Sequence, residues 1–252
     1  MQIKRDLLND VRGSADEQKA LAAAIYWKHL LVNSRMPKFA ITKMEKVAGM
    51  NYRTIRKYLP LMVERGYVHF EGKGSRKTLV VNRLSSHRQQ RNVDISVLDF
   101  SSFSTVLMGL RAFVLMGIQA AKDYMKWLLE HRHNPSWTED FKSLDKKVRA
   151  YVRSGAINNP YAGYKEYGIS LKKMARVLGC SVTQAQDVVD YTISRSWMTK
   201  EHNVYQYFMP HVNYYELEDF TFTTANNAYK VGANTYTLSP TITSAFFHTA
   251  TF

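Results

Sequence analysis

The chain holds a single cysteine, Cys180, in 252 residues, which excludes an internal disulfide framework and fits a reducing compartment. Its opening residues, MQIKRDLLND, have no apolar core of the kind a secretory leader needs, so no leader is expected. Long hydrophobic runs are scarce as well. The most apolar stretch, residues 106–121, spans 16 residues and contains Arg111, which is short for a membrane span and predicts a buried or dimer-forming helix instead. Acidic residues are scarce in one half only. Residues 1–92 carry 19 Lys and Arg against 7 Asp and Glu, a net of +12, whereas residues 93–252 carry 16 against 14, a net of +2. The N-terminal half therefore holds nearly all the attraction for a polyanion. A membrane surface is the weaker partner, because the cations are scattered through patterned segments and form no single basic amphipathic stretch.

Against those absences stands a repeat. Residues 41–70 align with residues 171–200 at a constant offset of 130 and without a gap. Ile41, Met44, Val47, Met50, Ile55, Tyr58, Met62 and Tyr67 fall on Leu171, Met174, Val177, Cys180, Ala185, Val188, Thr192 and Trp197, and Gly49 falls on Gly179. Each copy reads as a short helix, a closing Gly, a polar cap (Asn51, Ser181), a second helix and an aromatic-rich hairpin. That is the pattern of a helix-turn-helix with a wing.

Around the first copy, Ser14 and Glu17 have capping-box spacing and predict a helix to about Val32, and Thr42 with Glu45 repeats the spacing at the next helix. The following helix should run from Asn51 to about Arg65. Pro60 lies inside it and predicts either a kink after Tyr58 or two shorter helices. Residues 67–71 and 78–82 are strand-like around the basic tip 72–77. Residues 85–92, SSHRQQRN, read as a linker. In the second copy a helix is expected over 140–154, then a loop at 158–163 that the first copy lacks. The second hairpin should pair 197–200 with 204–209, turning at Glu201, His202 and Asn203. Residues 220–252 carry one Lys, Lys230, among many Thr, Ala, Asn and aromatic residues, and read as an extended arm.

A recognition helix buries one stripe and turns the other to the major groove. In the first copy the buried stripe is Ile55, Tyr58, Leu59, Met62 and Val63, which leaves Tyr52, Arg53, Thr54, Arg56 and Lys57 to face DNA. The forked donors of Arg match the O6 and N7 acceptors of guanine, and Thr and Tyr hydroxyls reach phosphates. Lys73, Arg76 and Lys77 at the hairpin tip can follow the backbone or enter the minor groove. The second copy offers Thr183, Gln184 and Gln186 with Lys172, Lys173 and Arg176 on the preceding helix, but Asp187 and Asp190 share the exposed stripe and oppose phosphates. That unit reads equally well as a DNA reader or as a dimerisation scaffold.

Enzymatic motifs are wanting. Residues 72–78, GKGSRKT, resemble a phosphate loop, yet Arg76 stands where that motif requires Gly. His131 and His133 flank an Arg and sit at an expected helix end, where His suits the dipole. Cys180 matches Met50 and reads as a packed thiol. No catalytic residue, metal ligand or cofactor is assigned.

The chain resembles tandem winged-helix DNA-binding proteins, in an arrangement similar to the two-domain replication initiators of plasmids and phages, over residues 14–83 and 140–209. The expected fold class is mainly α with small β-hairpins (α+β): winged helices at 1–84 and 135–219, a linker at 85–105, a connecting or dimerisation helix at 106–134 and an arm at 220–252. The resemblance implies sequence-specific binding to double-stranded DNA without a cofactor, in the cytoplasm of a bacterial cell or phage-infected host. A homodimer through 106–130 or through the second winged helix is an expected partner, and a membrane is not. Transcriptional regulation is the first expected role. Replication initiation is the alternative, and a structural or interaction protein using winged helices for packing is the third.

Overall fold

The computed structural model describes residues 1–88, 91–130, 169–201, 204–208, 222–224, 227–231 and 233–246. The expected helix over 140–154, the loop 158–163 and the His131/His133 pair lie outside them. The fold is helix-dominated α+β with small antiparallel sheets.

Strand β1 (Gln2–Lys4) and helix α1 (Arg5–Asp10) precede α2 (Ala15–Leu30). Ser14 caps α2 by accepting from the Glu17 N–H at 3.2 Å, but the reciprocal half of the capping box is not made, because the Glu17 carboxylate takes Arg65 instead. The second expected box is absent too. Helix α3 (Ile41–Ala48) starts from Ala40 with no side-chain cap, and Glu45 accepts from the Tyr52 N–H at 3.0 Å. A carboxylate at the free N–H groups of the next helix gains from its dipole, which explains the exchange. Helix α4 (Tyr52–Glu64) starts at Asn51, whose side chain accepts from the Arg53 N–H.

Pro60 does not divide α4 into two helices. Ile55, Tyr58 and Met62 are buried, and at 100° per residue Pro60 falls opposite them; both Pro60 and Arg56, whose carbonyl loses its partner, face solvent. The freed carbonyl is thus open to solvent and is not sealed in the core.

Strands β3 (Val68–Glu71) and β4 (Thr78–Val81) pair antiparallel, Val68 opposite Val81 and Glu71 opposite Thr78. The strand β2 (Arg35–Met36), between α2 and α3, adds to β4 and completes a three-stranded sheet in the order β2-β4-β3. The expected linker is in large part built into the fold: β5 (Asn92–Asp94) pairs with β1, and Val93, Ile95 and Leu98 are buried.

Helix α5 (Phe103–Glu130) follows. Its first 18 residues, Phe103–Ala120, are long and apolar enough to cross a membrane by length and composition, two more than the sequence count, yet 56% of that stretch is buried inside the fold. Val106, Leu110, Phe113, Val114 and Met116 are wholly enclosed. They pack within the chain, against α2 on one side and the second repeat on the other, so this stretch connects the repeats.

Helices α6 (Leu171–Leu178) and α7 (Val182–Ser194) and strand β6 (Met198–Glu201) reproduce α3, α4 and β3 residue for residue at the offset of 130. Gly49 and Gly179 both close their helices at φ 59°. The Tyr67 N–H donates to Met62 as the Trp197 N–H donates to Thr192.

The second hairpin differs from expectation. Strand β6 does not pair with the described part of the expected partner, residues 204–208; its partner is β10 (Thr235–Leu238), with Met198 opposite Leu238 and Glu201 opposite Thr235. Strand β7 (Val204–Phe208) instead joins β8 (Phe222–Thr224) and β9 (Asn227–Val231) in a separate sheet of order β7-β9-β8. Strand β10 is nevertheless the counterpart of β4. The Phe39 N–H donates to the residue before β4 and the Ile169 N–H to the residue before β10; likewise Asn82 donates to Tyr67 and Ser239 to Trp197. At the offset β10 would begin at 208, but it begins at 235, so the second wing carries 27 extra residues. The arm is therefore no loose extension. It supplies β10 and a closing helix α8 (Pro240–Phe246), with Tyr236, Leu238, Ile242 and Phe246 buried.

Candidate nucleic-acid interface

Helix α4 turns Tyr52, Arg53, Arg56 and Lys57 to solvent, with Thr54 half-buried. The stripe behind them holds Ile55, Tyr58 and Met62, while Leu59 is half-buried. Val63, expected in that stripe, is 41% exposed, and Val47 on α3 is 45% exposed. Both occupy apolar positions of the repeat, yet they lie at the edge of their helices' buried faces, where a β-branched side chain keeps one flank in water.

The exposed cations are not equivalent. Lys57 donates to Asp16 on α2 at 3.2 Å and lies 5.1 Å from the Tyr58 ring centroid, while the Tyr58 hydroxyl donates to the same carboxylate oxygen at 3.1 Å. The hydrogen bond from Lys57 holds the Asp16 carboxyl below its usual range, and the bond to Asp16 raises the ammonium of Lys57. Lys57 thus meets another anion only by leaving Asp16. Arg53 and Arg56 form no ion pair among the described residues, nor do Lys73, Arg76 and Lys77 at the hairpin tip, where a single helical turn (Gly74–Arg76) presents them to solvent. The tip is anchored from beneath: the Phe39 N–H donates to Lys77 O at 2.8 Å, and the Phe39 and Phe70 rings meet edge to face at 5.3 Å.

No family model, curated protein or solved structure matches the chain. The site rests on its own geometry.

The second copy differs at the same positions. Thr183, Asp187 and Asp190 are exposed on α7, and the Gln186 amide donates to Asp190 at 2.6 Å. Gln184 is occupied in a complete capping box with Ser181. Lys172, Lys173 and Arg176 are exposed on α6. The turn between these helices abuts the N-terminal unit, since the Gly13 N–H donates to Val177 O at 2.6 Å. Cys180 is half-buried there, and burial pushes its thiol up, as for a packed sulfur and not a nucleophile. A carboxylate at the centre of the stripe, where α4 has Pro60, and two glutamines already bonded leave α7 poorly suited to phosphates.

Sequence reasoning missed Asp16 as the partner of Lys57 and β10 as the partner of β6. The first had no local signal, because 41 residues separate the pair. The second had one: the alternation in Thr235–Leu238 matches that of Thr78–Val81, but only once an insertion is allowed.

Proposed function

We propose that the chain is a non-enzymatic, sequence-specific binder of double-stranded DNA, in which α4 enters the major groove and the β3-β4 tip rides on the adjacent backbone or minor groove. The observation that carries the reading is the set of six cations on α4 and the tip, five of them without an ion-pair partner among the described residues. They are set on the order helix, strand, helix, helix, hairpin that a winged helix uses. Regulation of transcription is the role it fits first. The tandem copy, α6-α7-β6-β10, favours replication initiation as the second reading, which iterated sites beside its own gene would support.

Selection from random duplexes with the full chain tests the core of this: one enriched motif is expected, and uniform recovery of all sequences would rule out a reader. Arg53→Ala and Arg56→Ala should each weaken the enriched site by about 1–3 kcal/mol and relax base preference, as loss of bidentate contacts does. Equal losses on random DNA would reduce them to phosphate contacts. Replacing Lys73, Arg76 and Lys77 together should weaken all sequences alike and lower the salt slope by roughly 2–3. Asp16→Asn should act in the opposite direction. With its carboxylate gone, Lys57 is free to meet a phosphate, and the slope should rise by about 1 in a titration against salt.

A further inference from the structure

At the base of the first hairpin, away from its basic tip, a second group of cations is gathered without a counter-charge. Lys28, half-buried near the end of α2, donates to Ser34 Oγ at 3.3 Å and to Asn82 O at 3.1 Å. Arg83 follows Asn82 directly, donating from Nε to Ser85 Oγ and from Nη1 to His87 Nδ1, both at 3.1 Å. Arg88 and Arg91 follow on the same loop. The loop is held shut by Asn92, 2% exposed, whose side chain accepts from the Ser86 N–H at 2.6 Å and donates to Ser86 O at 3.0 Å. Among the described residues no carboxylate pairs with Lys28, Arg83, His87, Arg88 or Arg91.

The donor count is specific. Arg has no acceptor and cannot lose its proton, so Nδ1 of His87 must be the acceptor and Nε2 must carry the hydrogen. That leaves one Lys28 hydrogen and the outer N–H groups of Arg83 without partners among the described residues. Burial, with the charge of Arg83 second, holds the Lys28 ammonium below its usual range. Its place in the last turn of α2 suits the helix dipole, which accounts for Lys28 alone. It does not account for an Arg held beside it by a Ser and a His of a loop locked at its base.

We infer that Lys28 and Arg83, the latter oriented by Ser85 and His87, form a phosphate-binding site distinct from α4 and the hairpin tip. A phosphate oxyanion offers the acceptors that the neighbouring Lys28 and Arg83 lack, and Arg matches it in the bidentate manner. The group can come from a nucleic-acid backbone or from a free phosphate, and the site does not depend on the DNA reading above.

The test follows the His87 ring resonances of the full chain while inorganic phosphate, and separately a duplex, is added. Arg83→Gln, at an exposed position, serves as the variant, with Arg53→Ala as the control and His87→Ala to assign the ring signals. Phosphate should shift the His87 signals saturably, Arg83→Gln should weaken that binding about tenfold, and Arg53→Ala should leave it unchanged. If the duplex shifts the same signals and Arg83→Gln lowers the DNA salt slope by about 1, the source is a backbone phosphate. If inorganic phosphate shifts them and the slope is unaltered, the source is a free phosphate group. No shift with either, or a shift that survives Arg83→Gln, overturns the site. A chain that binds no DNA yet shows the phosphate response would refute the reader and keep the site.

Discussion

Phe113→Ala should destabilise the whole chain by about 3–5 kcal/mol, the range for deleting a fully buried aromatic, and should do so for both repeats at once. Phe113 is fully buried at the centre of α5. Its ring stacks on Phe246 at 5.6 Å and meets Trp197 edge to face at 5.7 Å, while α5 packs on α2 along its other side. Trp197 begins the hairpin of the second repeat and α2 is the first long helix of the N-terminal unit, so one cavity would loosen both. Buried residues from the two units form a continuous cluster through α5. Urea unfolding followed by tryptophan fluorescence and by amide exchange in α4 should give coincident transitions, shifted together in the variant. A variant in which α4 keeps its protection while the second repeat melts would show two independently stable units.

Gly179→Ala should cost far more than Gly49→Ala, although the two glycines are equivalent in the repeat. Both sit at φ 59°, a left-handed conformation that costs an L residue about 1–2 kcal/mol. A Cβ at Gly49 meets nothing within 4 Å, whereas at Gly179 it would lie 2.5 Å from Gly13 O and 2.9 Å from Ser14 N, both backbone atoms. Overpacking against backbone adds a further 1–3 kcal/mol or so, which brings Gly179→Ala to roughly 2–5 kcal/mol. The same urea titrations compare the two. Equal losses would mean that the α6-α7 turn does not bear on the N-terminal unit. The contact also sets the second repeat apart: its turn abuts the residues that lead into α2, and its exposed stripe carries Asp187 where α4 carries Lys57 and Asp190 where α4 has Pro60.

The two repeats show which parts of this protein are written locally. Helix α4 begins after Asn51 and α7 after Ser181, and each preceding helix closes on its glycine, because caps and left-handed turns depend on residues within one helical turn. The 3.6-residue period likewise marks Ile55, Tyr58 and Met62 as buried and Arg53 and Arg56 as exposed, and the charge asymmetry between the halves needs no structure at all. Local signals misled where two partners competed. Glu17 and Glu45 had the spacing for capping boxes, but a guanidinium and a free helix N–H lay nearer in space than in sequence.

What only the tertiary structure decided are the pairings that close over long stretches of chain. Strand β6 had a strand beginning three residues beyond its end and took one beginning 34 residues beyond it, because β10 brings Tyr236 and Leu238 to the core with the same alternation that β4 has. Apolar composition predicted that α5 would be covered without saying by what, since burial is non-directional and either a second copy or the chain itself could have supplied the surface. The chain's own two repeats cover the residues that are wholly enclosed, Val106, Leu110 and Phe113 among them.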